Sequence, residues 1–252
     1  MRLVGVISAY QESPHWLGTA AAGFARFCDA IVYADGAYSM YPSARARSHP
    51  DQAEAVTLAC EAMDVECLVH RPRGLYYGQE VEKRNMTLRL AGTLDPDFVI
   101  VFDADEHVLR ADPDRIRGTL EHTDRHVVTH TLLDGKDLMA DPGLARHAQR
   151  TDAAVEWTIR TRQCYRWTDD LRYEHTHYFV GGTYEGEHHW LRGPDLCAGE
   201  QHRASPAEHL EAALVVNHRT SHRALVRRND QAEYYRRRDA AGSERTPEVV
   251  AA

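Results

Sequence analysis

Asp97-Phe98-Val99-Ile100-Val101-Phe102-Asp103-Ala104-Asp105-Glu106 decides how the 252-residue chain is read. An unbroken apolar run centred on Val99, Ile100 and Val101, with an acid at each end, suits a strand buried on both faces in the middle of a parallel sheet. Asp103 stands where that strand ends. Upstream, Gln79 to Leu90 has helical spacing, Cys67-Leu68-Val69-His70 reads as strand, and Asp51 to Met63 as helix. Ala30-Ile31-Val32-Tyr33-Ala34 is a short buried strand stopped by the turn signal Asp35-Gly36. Trp16 to Cys28 is helical, and Arg2 to Ala9 is a strand followed by the helix-start signal Tyr10-Gln11-Glu12-Ser13-Pro14. Alternating strands and helices predict an α/β chain with an open, doubly wound, mostly parallel central sheet flanked by helices. Ligands of such sheets bind beyond the carboxyl ends of the strands, where Glu12, Asp35 and Asp103 fall.

Downstream of Asp112-Pro113 the pattern loosens. His126 to Leu133 reads as strand before a turn at Asp134-Gly135. Cys164 to Trp167 and Leu171 to Val180 read as β structure joined by Thr168-Asp169-Asp170, and Pro206 to Leu214 and Ser221 to Arg238 as helices. The expected organisation is one domain over residues 1–239, with a ligand-binding half to about residue 110 and a second half ending in a helical extension. Residues 240–252 are expected to be a disordered tail.

Thirty Lys and Arg against 38 Asp and Glu give a net charge of −8, which argues against nucleic acid or an anionic membrane as partner, since both need a basic surface. No apolar stretch is long enough to cross a bilayer, and Met1-Arg2-Leu3-Val4-Gly5-Val6 lacks the pattern of a signal peptide, so the cytoplasm is the expected location. Cys28, Cys60, Cys67, Cys164 and Cys197 are odd in number and show no Cys-x-x-Cys spacing, as expected of reduced, mostly structural thiols. The 16 histidines are the unusual count, because imidazole serves both as metal ligand and as proton carrier.

Asp103 and Asp105 flank one small residue just past a buried strand. Such a pair suits Mg²⁺ or Mn²⁺, which take one or two carboxylates and leave their other positions to phosphate oxygens and water. The same pair can simply cap a turn. Glu82-Lys83-Arg84-Asn85, a helix, and then the apolar strand ending in Asp103-Ala104-Asp105-Glu106 resemble family-2 glycosyltransferases of the bacterial lipopolysaccharide-core and surface-polysaccharide type. Ser8-Ala9-Tyr10-Gln11-Glu12 is similar to their strand-one motif, where Asn-Glu is more usual, and Asp35-Gly36 resembles their second-strand aspartate. Arg162-Gln163-Cys164-Tyr165-Arg166 and Leu171-Arg172-Tyr173-Glu174-His175-Thr176-His177 look like a pattern that normally closes in His-Glu, with Tyr178 here in place of the glutamate. Val216-Asn217-His218 before an Arg-rich segment is similar to their late histidine.

The resemblance implies a Rossmann-like glycosyltransferase-A fold and a metal-dependent transfer, with Mn²⁺ or Mg²⁺, from a nucleotide-sugar, UDP-linked first of all. The acceptor class stays open among glycan, lipid-linked glycan, protein and small molecule. Ala9, Tyr10 and Glu12 would line the nucleoside pocket, Asp35 would bond the base, and Lys83 or Arg84 would face the nucleotide. Asp103-Ala104-Asp105 would hold the donor, with Asp103 on the ribose or sugar and Asp105 on the metal. His218 would complete the coordination or touch the diphosphate, with Arg219 and His222 nearby. Glu106 would meet the acceptor or support the metal site. An inverting reaction needs a general base, and Glu174, Asp170, Asp169 and His177 are the candidates.

Three other readings compete. His175-x-His177 and His188-His189 suggest a zinc-dependent hydrolase or metal-binding protein. A nucleotidyltransferase would also use metal-bound carboxylates on such a sheet, but it normally carries a glycine- and lysine-rich loop where Tyr10-Gln11-Glu12-Ser13-Pro14 stands. The Tyr178 departure suggests a binding module that keeps the fold without catalysis.

Overall fold

The computed structural model describes residues 1–39, 45–73, 77–135, 157–174, 179–192, 210, 213–219 and 236–237. Elements follow in the order β1 (Leu3–Ala9), α1 (Pro14–Ala25), β2 (Ala30–Asp35), α2 (Pro50–Glu61), β3 (Glu66–His70), α3 (Glu80–Gly92), β4 (Phe98–Phe102), β5 (Glu106–Ala111) and α4 (Pro113–His122). Then come β6 (Val127–Gly135), β7 (Trp157–Arg166), β8 (Arg172–Glu174), β9 (Phe179–Tyr184), β10 (Glu187–Arg192) and β11 (Leu214–Arg219). Among these helices, α1, α2 and α4 open with proline, whose missing N–H costs nothing in a first turn. Asp112 caps α4 by accepting from the Arg115 N–H at 3.1 Å.

Eight strands form one sheet in the order β3-β2-β1-β4-β7-β6-β11-β5, and β10-β9-β8 form a small second sheet. The β3–β2–β1–β4 block is parallel, as is β6–β11, whereas β4–β7, β7–β6 and β11–β5 are antiparallel. This is the α/β, Rossmann-like class expected from the alternation, with a mixed second half.

Side chains alternate across the parallel block as strand geometry requires. Leu3, Ile7, Ile31, Phe98 and Phe102 meet α1 and α2, where Phe24 stacks on Phe102 with ring centroids 3.9 Å apart. Val4, Val6, Val32 and Val99 face Leu88 and Ala91 of α3 together with Tyr173, Val180 and Tyr184 of the small sheet. Gly5 lets Ile31 pack closely on β1, since a Cβ there would stand 2.6 Å from Ile31 Cδ1 and displace it.

The first half appears where the sequence places it, with boundaries shifted by a few residues. From Glu106 onward β5, α4, β10, β11 and the first part of β7 were not anticipated. In α4 only Ile116 and Leu120 are buried, too sparse an apolar stripe to read, and β5 begins with two buried polar residues, Glu106 and His107. Leu171 to Val180 is not one strand but parts of β8 and β9, and Leu214 opens β11 instead of closing a helix. Leu210 and Ala213, within the helix expected over Pro206 to Leu214, are not helical, and the other residues of that stretch before Leu214, nearly all of that over Ser221 to Arg238, and the tail lie outside the described residues. Among the described residues no helix is long and apolar enough to cross a membrane.

Candidate functional site

From β1 the chain steps outward through β2 to β3, and α3 then returns it to β4 on the other flank of β1. That reversal opens a crevice beyond the carboxyl ends of β1 and β4, the place where open α/β sheets bind ligands. Ala9 to Glu12 and Asp103 to Glu106 are the residues delivered there. Their arrangement follows from strand alternation and from the turn that joins β4 to β5.

Asp103 and Asp105 do different things. The Glu106 N–H donates to the Asp103 carbonyl at 3.0 Å, and Glu106 Oε2 accepts from the Asp103 N–H at 3.3 Å, so Glu106 closes the turn on itself. Asp103 turns toward α3, where Arg84 Nη2 approaches its Oδ1 at 3.4 Å. Arg84 also donates to Glu80 at 3.0 Å and lies over the Tyr173 ring at 5.7 Å. Burial works against the guanidinium's charge, yet the Asp103 and Glu80 carboxylates hold its pKa above the usual arginine value. Ala104 packs into the core beneath the turn. Asp105, only 3% exposed, faces the other way, with Oδ2 at 3.3 Å from Nε2 of His218. The pairing of β11 with β5 puts His218 directly across from Glu106 and so beside Asp105.

The base-side residues are more enclosed than expected. Asp35 is fully buried: its carboxylate accepts from the Ser48 N–H at 3.0 Å and from Arg71 Nε at 3.0 Å. Arg71 Nη2 donates to the Ser48 carbonyl at 2.7 Å, which closes the triangle. Tyr10 is buried and donates its hydroxyl to the Arg45 carbonyl at 2.7 Å, and the buried Glu12 receives the Gln52 side-chain oxygen on its backbone N–H at 3.0 Å. Lys83, expected to face a nucleotide, is instead 1% exposed and donates Nζ to the carbonyls of Ala9 at 2.6 Å and Gly36 at 2.8 Å. Burial pushes its pKa down to about 8, against the opposing pull of Asp35. Gly36 has φ +140°, open to glycine, and a Cβ there would meet the Tyr77 ring at 2.8 Å.

The candidate bases are spread over and around the small sheet. Asp170 accepts from the Thr183 N–H at 2.8 Å, the Thr183 hydroxyl at 2.6 Å and the Thr168 hydroxyl at 2.9 Å. Burial raises its pKa, but these bonds and Arg172 outweigh it and bring it down to about 2, which makes Asp170 a turn-holding acceptor and a poor proton acceptor. Glu174 pairs with Arg172 at 2.5 Å, and the two share the face of β8 opposite Tyr173, the residue that meets Arg84. Asp169 is exposed. His175, His177 and Tyr178 lie outside the described residues, as do His222 and the Arg219 side chain.

His188 and His189 are consecutive on β10 and so point to opposite faces. His189 lies on the side of Tyr184 and His126, while His188 lies edge-on to Trp190. That geometry separates His188 from His189, while His175 and His177, the other pair of the zinc reading, lie outside the described residues. Among the described residues no group of three or more His, Cys, Asp and Glu is arranged to hold a metal ion.

Sequence reading missed Arg71 and Ser48, which complete the Asp35 triangle, and Trp16, whose ring stacks on His107 at 5.2 Å beside the triplet. A usable signal existed for Arg71, since it follows β3 as Asp103 follows β4. A narrow cleft on the α3 side is lined by Val6, Ser8, Arg84, Thr87, Val101 and Tyr173.

No protein-family model matches the chain, and no curated protein matches it. Solved structures do. The 1–349 segment of S. aureus TarS in complex with UDP-GlcNAc is 12% identical, covering 66% of this chain and 45% of that one at a TM-score of 0.41. The same segment with UDP matches at 12% identity, 66% and 47% coverage and a TM-score of 0.41. Glucosyl-3-phosphoglycerate synthase from Mycobacterium tuberculosis, in complex with Mn²⁺, UDP and glucosyl-3-phosphoglycerate, matches at 12% identity, 66% and 56% coverage and a TM-score of 0.34. The chain thus spans about half the length of these proteins.

Proposed function

We propose that the chain is a metal-dependent glycosyltransferase of the glycosyltransferase-A fold, acting in the cytoplasm on a nucleotide-sugar donor, with UDP-sugars first among them. The observation that carries this reading is the meeting of Asp105 and His218 at 3.3 Å in the switch-point crevice. The two residues are far apart in the sequence and are brought together by the β5–β11 pairing. A nucleoside diphosphate departs as an anion, so the site must offer positive charge where negative charge accumulates.

Asp105 and His218 fit Mn²⁺ or Mg²⁺, because such ions need few protein ligands when phosphate oxygens supply the rest. Bound there, the ion stabilises charge on the leaving diphosphate. Asp103, held by Arg84, is presented as a hydrogen-bond acceptor for donor hydroxyls, and Glu106 keeps the turn that separates the two aspartates. Asp170 and Glu174 are engaged elsewhere, which leaves Asp169 and His177 as the bases to test.

Thermal unfolding with UDP, with and without Mn²⁺, is the first experiment, since a ligand bound only by the native state raises its stability. UDP plus Mn²⁺ raises the midpoint more than either alone, and Asp105→Asn removes the increment. A wild-type protein whose midpoint ignores UDP in the presence of Mn²⁺ would sink the reading. The engagement of Asp170 and Glu174 favours one second reading, a nucleotide-sugar-binding module without transfer activity. Slow hydrolysis of the donor in the absence of acceptor excludes that alternative.

A further inference from the structure

Cys60 and Cys67 are brought together by the turn that ends α2. The Cys60 carbonyl accepts from the Met63 and Val65 N–H groups, both at 3.0 Å, and Asp64 takes φ +54°, a left-handed conformation that aspartate tolerates better than most residues. The chain is thereby folded back onto the last turn of α2 before it enters β3 at Glu66. Cys67 stands across from Ile31 in the register with β2, and both side chains lie on the face of the sheet that α2 covers. Cys60 is fully buried there, while Cys67 packs against the same cluster from β3, the edge strand of the sheet, and is partly exposed.

The two sulfurs are in hydrogen-bonding contact, and Cys67 also accepts from the Thr57 hydroxyl, one turn earlier on α2. The bond from Cys60 brings the Cys67 thiol down in pKa, with burial opposing it and Thr57 adding to it. The same contact, followed by burial, pushes the Cys60 thiol up. The pair is thus divided into an accessible sulfur that is the better anion and an enclosed one that stays protonated beside it, the division of labour between an attacking and a resolving thiol. Cys28 and Cys164 lie deeper, and burial raises both of their thiols.

We infer that Cys60 and Cys67 are a redox modification site, at which a hydroperoxide converts the two thiols into an intramolecular disulfide that clamps the end of α2 to β3. The Cys67 thiolate attacks a peroxide oxygen, the O–O bond breaks, and the departing hydroxide or alkoxide takes up a proton, leaving Cys67 as a sulfenic acid. The Cys60 sulfur then attacks the Cys67 sulfur. An S–S bond forms, the S–O bond breaks, and the hydroxide leaves as water with the proton from Cys60. The two thiols have lost a pair of electrons, and the peroxide has been reduced to water and a second water or an alcohol. The pair lies toward the amino end of β3, away from the crevice at the carboxyl ends of the strands, so the inference stands apart from the glycosyltransferase reading.

The test treats the reduced protein with an equimolar amount of hydrogen peroxide, alkylates the remaining thiols, and maps the peptides by mass spectrometry without reduction. Cleavage after glutamate, at Glu61 and Glu66, puts the two cysteines on separate peptides. The wild-type protein yields a Cys60–Cys67 linked pair that dithiothreitol separates, and its unfolding midpoint rises by a few degrees on oxidation and returns on reduction, because the cross-link restricts the unfolded chain. Cys60→Ala lacks the resolving thiol and stops at the sulfenic acid, which dimedone labels at Cys67. Cys67→Ser leaves Cys60 reduced. Linkage of either cysteine to Cys28 or Cys197, or a pair that stays open to alkylation while the methionines oxidise, overturns the inference. So does dimedone labelling of Cys67 in the wild-type protein without a cross-link, which would show that the sulfurs do not meet. Should Cys60→Ala fail to fold, the wild-type peptide map decides by itself.

Discussion

Lys83 is where charge and burial conflict most directly. Its ammonium is enclosed and holds two carbonyls, and a neutral amine keeps enough N–H groups to make both bonds. Its folded pKa of about 8 lies below the ordinary lysine value of 10.5. Between those values the unfolded chain binds the extra proton, so this group's contribution to stability rises with pH through the window. It is complete above the upper value and lost as pH falls through about 8. Urea denaturation of the wild-type protein and Lys83→Gln across pH 7 to 10 shows a stability difference that climbs in favour of the wild type above about pH 8. A flat difference would mean that the buried amine does not titrate there. The same residue shows why its role was misjudged from sequence. A lysine beside an arginine in a helix reads as an anion contact, and only the approach of the β1 and β2 ends reveals that backbone oxygens already claim it.

Helix α3 organises the crevice through consecutive residues with separate duties. Lys83 ties down the ends of β1 and β2, Arg84 holds Asp103, Asn85 grips β8, and the Thr87 hydroxyl meets that of Ser8 at 2.7 Å. The Asn85 amide donates to the Tyr173 carbonyl at 2.8 Å and accepts from the Tyr173 N–H at 2.7 Å, as a neighbouring strand would. Asn85→Ala leaves both backbone groups without that partner and lowers stability by roughly 2 kcal/mol, and Asn85→Asp costs at least as much at neutral pH, because its carboxylate keeps the acceptor but sets a second acceptor against the Tyr173 carbonyl. Chemical denaturation reads both values, and an alanine variant as stable as the wild type would show that β8 is held by its apolar side alone. Asp170→Ala loosens the turn before β8 from Thr183 of β9 by about 1 kcal/mol, its partial exposure limiting the loss, and leaves turnover unchanged. The first four strands were legible because each carries its own apolar run and β1, β2 and β3 are each followed by a helix. β5, α4 and β11 were not, since β5 and β11 depend on pairing partners far away in the chain and α4 buries only two side chains.

At the scale of the molecule, one sheet runs through both halves of the chain, and the candidate metal pair sits where they meet. Asp105 follows the parallel block directly, whereas His218 comes from β11, reached only through β7 and β6 along the sheet. The motif around Asp103 could be read locally, but the proximity of residues 105 and 218 depends on the antiparallel register that sets His218 across from Glu106. A ligand gripped by both side chains therefore braces the turn after β4 against the end of β11, just where the β5–β11 ladder ends in the His218–Glu106 pair. Native-state hydrogen exchange measures that link, because it reports local opening along each strand separately. With UDP and Mn²⁺ bound, amide exchange slows together at Asp105 to His107 and at Val216 to His218. His218→Ala loses the protection on both strands and weakens the Mn²⁺ dependence of UDP binding without abolishing UDP binding itself. Protection confined to the β1 and β4 ends, with β11 unaffected in the wild type, would show that the cation is held by the carboxylate side alone and that the imidazole is a packing neighbour.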